Sequence, residues 1–446
     1  MRGLLFAMRG MKLRKMYQWM WTCLLLGGCQ AWAQVSLSTV VDMAMRNSAA
    51  VRAGVAEVQH AEAGLSESKD VYLPSFVLGS SLGYSYGFPV GQPSVYSVTS
   101  QSLIYSFSQP DYVRAAREAL KSAQLSLKDN EEQVALDTAL AYIQLDSDTR
   151  LLAALEQEKE FAEKLVTIER ERLQAGVDGR MEVTKAELTA AQVDAKRLHL
   201  EGDASQLRQQ LGHLTGLPPS SFVTDSKSIP TSPEFSTEDP IEDTLAATNS
   251  GIQAAFANAK SKWLTSFGDE KQNYRPQFAF GAEYNRYAEF NNYAEYYLRF
   301  QHNNFNIGVQ ITFPIFDASR RAKARESAAE AARAGAEADQ TKFRTSEQVY
   351  SLRHSISELV AQERIAQLKS ELAQEQLESI QTQLKSGSGS PNTAPVTPKD
   401  EQQARIQERE RYQDALDAGF SMIRAELSLM RSLGQIGEWV HSGPTK

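Results

Sequence analysis

Two segments, 111–175 and 318–386, read as helix from end to end, dense in Ala, Leu, Glu, Gln, Lys and Arg. At 1.5 Å per residue, about 65 residues extend roughly 100 Å. No globular domain of this mass needs such a helix. Apolar residues recur at three- and four-residue steps, at Leu136, Leu140 and Ile143 and again at Leu151, Leu155, Phe161, Leu165 and Ile168. That spacing predicts coiled-coil-like contact. Alanines clustered at 328–338 predict close helix packing.

The long helices belong to a repeat. Asn47-Ser48 and "YLPSFVLG" at 72–79 match Asn249-Ser250 and "YRPQFAFG" at 274–281, without gaps, at an offset of 202. Two matches at one offset are much less expected by chance than one, and a repeat governs the fold assignment. Each half reads as helix, strand, strand, very long helix, break, helix. The helices are expected at 36–70, 111–175 and 181–212, then at 241–271, 318–386 and 400–436. The first repeat spans 34–216 and the second 241–438, with a Pro/Ser/Thr-rich connector at 217–240 and a tail at 439–446. The shorter helices are about half as long as the long ones, so two stacked end to end would match one.

Strands are expected at 72–88, 94–108, 274–287 and 304–316. Along the first, Tyr72, Phe76, Leu78, Leu82, Tyr84, Tyr86 and Phe88 share a face, opposite Ser75, Gly79, Ser81, Gly83, Ser85 and Gly87. Along the fourth, Phe305, Ile307, Val309, Ile311, Phe313 and Ile315 lie opposite Asn306, Gly308, Gln310 and Thr312. Period-two alternation marks strands with one apolar side. A soluble sandwich would fit that alone. A heavily aromatic apolar side opposite a small polar one favours a lipid-facing barrel with a wet lumen. Four strands cannot close a barrel, and an open edge in lipid leaves backbone groups unpaired. The strands therefore imply copies of the chain sharing one barrel; three copies would supply twelve strands.

The N-terminus reads as an export signal, residues 1–33: a basic stretch, the apolar "WMWTCLLLGG", then "AWA" before Gln34. Met11 is a plausible start. "LGGC" at 26–29 resembles a lipoprotein box and would make Cys29 a lipid anchor. Cleavage after Ala33 is favoured, because helical patterning begins near Leu37 and leaves little linker after Cys29. Cys23 and Cys29 are the only cysteines, so the exported body has no disulfide. The formal charge of −8 becomes about −13 without Arg2, Arg9, Lys12, Arg14 and Lys15. Charge will not draw such a chain to nucleic acid or anionic lipid. No stretch after the signal reaches the 18 apolar residues of a transmembrane helix.

Catalytic signatures are missing from the sequence. His60, His199, His213, His302, His354 and His441 are scattered, with no HExxH pair. "SGSGS" at 386–390 lacks the Lys and the strand-to-helix setting of a phosphate loop and reads as solvated linker. No enzyme activity, cofactor or metal is expected.

Over essentially its whole length after the signal, the chain resembles the outer-membrane efflux proteins of the TolC family. The resemblance rests on the tandem repeat, the two strand openings, "ITFPIFDASRRAKA" at 311–324, and "ERLQAGVDGRMEVTKAE" at 171–187. In the last, Arg172, Leu173, Gly176, Glu182 and Ala186 match the family's hairpin pattern. Each motif is weak alone; the ordered set is fairly specific. The resemblance implies a homotrimer with a 12-stranded barrel in outer-membrane lipid and a helical tunnel through the periplasm. It implies an exit duct serving a periplasmic adaptor and an inner-membrane transporter, for tripartite efflux or type I secretion. A periplasmic coiled-coil adaptor or scaffold is the competing reading. One helical hairpin flanked by small β-domains would mark an adaptor, whereas two hairpins in tandem and long aromatic strands argue against it.

The hairpin tips, near 175–180 and 386–399, are the adaptor-docking candidates that the resemblance implies. They comprise Arg172, Leu173, Gly176, Val177 and Asp178 at the first and Leu384 and Gly387 at the second. Gly176 also reads simply as a helix end, with Gly179 completing the turn. The second tip carries an insertion of about seven residues if Asp400 and Ala404 match Glu182 and Ala186. The resemblance also puts Asp400, Glu401 and Gln403 at a periplasmic aperture, with Gln403 where the family often has an acid. A first-turn carboxylate favoured by the helix dipole is the plainer reading of Asp400.

Overall fold

The computed structural model describes residues 35–80, 94–231, 245, 247–287, 301–386 and 396–442. The signal segment with Cys29, the end of the connector at 232–240, the strand ends at 81–88 and the part of the insertion with Gly387 lie outside them.

The first half contains α1 (Leu37–Asn47), α2 (Ala49–Asp70), β1 (Ser75–Gly79), β2 (Ser94–Ser106), α3 (Gln109–Gln174) and α4 (Arg180–Thr215). The second contains α5 (Ser250–Gln272), β3 (Gln277–Tyr287), β4 (Asn303–Thr312), α6 (Ala318–Ser386), α7 (Pro398–Leu433) and α8 (Ile436–His441). At 66 and 69 residues, α3 and α6 are each about 100 Å long.

The helices form one layer of four columns. The long helices α3 and α6 are two of them. α2 and α4 both pack along α3, and α5 and α7 both lie between α3 and α6. Each half-length pair meets at an asparagine. Asn47 Nδ2 donates to the Thr215 carbonyl at 2.6 Å, the last of α4. Asn249 Nδ2 donates to the Ser432 carbonyl at 2.9 Å near the end of α7, while its Oδ1 accepts from Ile252 N at 2.9 Å and caps α5. Both lower helices end on a left-handed glycine, Gly216 at φ 78° and Gly434 at φ 73°. That conformation exposes terminal carbonyls to a donor. A Cβ on Gly434 would lie 2.8 Å from the Thr248 carbonyl, so the joint admits only glycine there.

The joint explains why the helix read at 36–70 is two. Ser48 takes an extended ψ of 134°, its hydroxyl accepts from Ala50 N, and α2 restarts on a new cap. Residues 433–436 likewise break α7 from α8, and the segment read as a tail buries Trp439 and Val440. The main core is centred on this level. Leu37, Val40 and Val41 meet Leu136, Ala139, Tyr142 and Ile143 of α3 and Leu427 and Met430 of α7. The Tyr142 hydroxyl donates to Val35 O at 2.7 Å and accepts from Asp225 N at 2.6 Å. Asp146 accepts from Thr224 and Ser226. Thus the described part of the connector is pinned to α3.

The sheet is antiparallel, in order β1-β2-β3-β4. Its register puts Phe76, Leu78, Val98, Phe280, Tyr284, Phe305, Ile307 and Val309 on one face. Thr99, Gln101, Gly281, Glu283, Asn306, Gly308 and Gln310 lie on the other. A shift between Leu103 and Tyr105 brings Tyr105 onto the apolar face beside Phe278. β1 and β4 each have one strand neighbour, and Phe76, Leu78, Phe305 and Ile307 remain exposed. The strands are shorter than the sequence suggests: residues 72–74, 274–276 and 313–316 are turns or irregular chain leading into or out of the helices. Among the described residues no helix is long and apolar enough to cross a membrane.

Candidate functional site

The first hairpin tip is built by a helix end whose chemistry is set by three residues. Gly176 sits at φ 70°. Its amide donates to Leu173 O at 3.0 Å and the Val177 amide to Arg172 O at 2.9 Å. These paired bonds close α3 in a Schellman turn. Arg172 Nε then donates to Asp178 Oδ2 at 2.5 Å across the turn. The guanidinium holds the Asp178 carboxyl below the usual carboxylate range. Gly179 follows as the N-cap of α4 in extended conformation. Leu173, Val177 and Met181 are left exposed at the end of the molecule, Val177 by 62%.

A cation from the second half locks onto this turn. Lys399, in the first turn of α7, places Nζ 2.7 Å from Glu169 Oε1, 3.0 Å from Glu182 Oε2 and 4.0 Å from Asp178 Oδ2. Its side chain is 16% exposed and that of Glu169 only 2%. The Glu169 carboxylate raises the lysine's proton affinity. Glu182 is held low by Lys185 and by Lys399. One ammonium therefore joins the end of α3, the start of α4 and the start of α7.

Of the aperture candidates, Asp400 is half-buried and turned back on its own helix. Its Oδ2 accepts from the Thr397 amide and hydroxyl, both at 2.7 Å, which makes a capping box at the start of α7. Glu401 pairs with Arg405 at 2.7 Å, and Gln403 is exposed. Leu384 is half-buried near the end of α6. Within one protomer, then, the first-tip residues come together, while Asp400 and Glu401 serve α7.

Lys399 and Glu169 were not singled out from the sequence, yet each leaves a trace there. A lysine in a helix's first turn opposes the dipole, so its presence in "PKDEQ" calls for a specific acid. Glu169 falls four residues after Leu165 on the apolar stripe of α3, where an unpaired carboxylate would not be tolerated. No group of three or more His, Cys, Asp or Glu suited to a metal occurs among the described residues.

The described protomer is an apolar-faced sheet set on a layer of helices about 100 Å long. Known proteins share this arrangement. Residues 40–217 match the family described as outer membrane efflux protein. Among solved structures, CusC superposes with a TM-score of 0.72 at 15% identity, covering 90% of this chain and 92% of that one. The Campylobacter jejuni CmeC outer membrane channel gives 0.71 at 15%, covering 90% and 85%. The outer membrane protein VceC of Vibrio cholerae gives 0.70 at 16%, covering 89% and 96%. Among curated proteins no sequence match is found. The first half thus carries the outer membrane efflux protein signature and the whole chain has the fold of these channels, which indicates the outer membrane, with the helical portion in the periplasm.

Proposed function

We propose that three copies of this chain form the exit duct of an efflux or secretion system, with a shared 12-stranded barrel above a helical tunnel. The observation that carries this reading is the sheet. Its four strands end in two open edges and its apolar face is uncovered, a combination that lipid tolerates only in a closed barrel. α6 supports it, since so few of its 69 residues are buried that its remaining faces call for neighbouring copies. The duct itself is passive. An inner-membrane transporter supplies the energy and a periplasmic adaptor meets the tips, where Leu173, Val177 and Met181 offer apolar contact beside the fixed Arg172–Asp178 pair. In the trimer, Asp400, Glu401 and Gln403 of three copies ring the periplasmic aperture. The two halves act as tandem repeats, with Asn47 and Asn249 in matching joints.

Membrane fractionation and heat-modifiable migration of the full chain test the proposal. Recovery from the outer membrane as a trimer is expected. Recovery as a soluble periplasmic monomer would overturn it and favour the adaptor or scaffold reading. The aperture is tested by cation block of single-channel current, which Asp400→Ala is expected to weaken; unchanged block removes that assignment.

A further inference from the structure

The strands join the helices at segments 69–74, 107–114, 269–276 and 313–325. Together these hold eight Lys or Arg against five Asp or Glu, in a chain whose net charge is −8. The acids there are mostly engaged. Asp111 is held by Arg114 and Lys271, Asp317 by Arg320, and Asp269 by the Tyr112 hydroxyl. Of the guanidinium groups there that have no carboxylate partner among the described residues, Arg275 and Arg321 lie over aromatic rings. Arg275 is 5.4 Å from the Phe107 centroid and 5.2 Å from that of Tyr274. Arg321 is 4.9 Å from that of Phe316. Arg320 Nη1 donates to Gln272 O at 3.3 Å, which brings the start of α6 against the end of α5 and both arginines to the same rim. The rings are themselves exposed, Phe316 by 72% and Tyr274 by 54%.

We propose that this rim seats the phosphate of an anionic phospholipid in the leaflet facing the helices, with Arg275 and Arg321 as its donors. A soluble anion would need only the charge. A ligand that also covers Phe316, Tyr274 and the apolar sheet face just above them must carry an acyl tail that runs from its phosphate up along that face. Stacking on the ring orients each guanidinium and leaves its N–H edge free for phosphate oxygens. The two arginines stand where aromatic side chains give way to cations, the level at which a bilayer's headgroups lie.

The inference rests on the barrel reading, and the experiment separates the two. The full chain is purified in detergent, and retention of phosphatidylglycerol and phosphatidylcholine is compared by native mass spectrometry. Wild type is expected to prefer phosphatidylglycerol by roughly fivefold per arginine, and to lose the preference in high salt. Arg275→Gln with Arg321→Gln is expected to retain both lipids alike, and the control Lys164→Gln to behave as wild type. Equal retention by wild type, or a preference that survives the double substitution, overturns the lipid seat while leaving the channel intact. A chain that does not enter the membrane fraction overturns both.

Discussion

Replacing Lys399 by Met tests whether the second half holds the first-tip turn in place. The methionine keeps the aliphatic stem and removes the ammonium. Three carboxylates then face each other, and Glu169, 2% exposed and with Oε2 already buried and unpartnered, loses its cation. At 2.7 Å the Lys399–Glu169 attraction is about 6 kcal/mol at an effective dielectric of 20, and desolvation of both groups offsets most of it. Stripping one partner from a fully buried pair costs about 3–5 kcal/mol, and from an exposed pair less than about 1. A lysine 16% exposed beside a buried glutamate falls between, at about 2–3 kcal/mol. The tip is at one end of a long molecule, so the loss is local. Amide exchange over 398–406 and 169–182 should accelerate roughly 30- to 150-fold, with the sheet-proximal helices unchanged. Glu169→Gln in the same background should recover part of the protection, because it removes the stranded charge. Acceleration of less than about threefold at both segments would refute the clamp. The pH dependence follows the shifts. Glu182 and Asp178 titrate below their unfolded values, so their contribution is present above those values and lost as pH falls through the folded ones. The lysine's is present below its unfolded value and lost as pH rises through its raised folded one.

Three other outcomes are expected. Asn249→Ala removes both the cap of α5 and the donor to Ser432 O from a buried site and should cost about 2 kcal/mol in chemical denaturation, with Asn249→Asp failing to restore the donor. Gly176→Ala meets no atom within 4 Å but must hold φ 70°, so it should cost about 1 kcal/mol, seen as faster exchange at the tip and not as a lower global melting point. Glu158 is fully buried and its carboxyl is pushed up by that burial. Wild type should lose stability as pH rises from the ordinary glutamate value through the raised one, and Glu158→Gln should reduce that slope in melting curves taken over about pH 4–8, the rest coming from Glu132, Asp148 and Asp417, which burial also pushes up.

The sequence determined the element types because periodicity is a local property. The long helices lie within two residues of their expected ends in 109–174 and 318–386. The alternating residues described in β1 and β4 do fall on opposite faces, since a strand's side chains alternate whatever it pairs with. The turn at Gly176 was equally legible, because a helix running into Gly-Val-Asp-Gly has few other endings. Tertiary structure decided what periodicity cannot carry. The break at Ser48 exists because Asn47 reaches Thr215, 168 residues away. The short helix near the C-terminus forms because Trp439 and Val440 find the core around Tyr142. The Lys399 clamp joins residues 217 and 230 positions apart. Its energy comes from burying one ammonium among carboxylates of two other helices, and no local pattern records a charge's burial until those helices are packed against it.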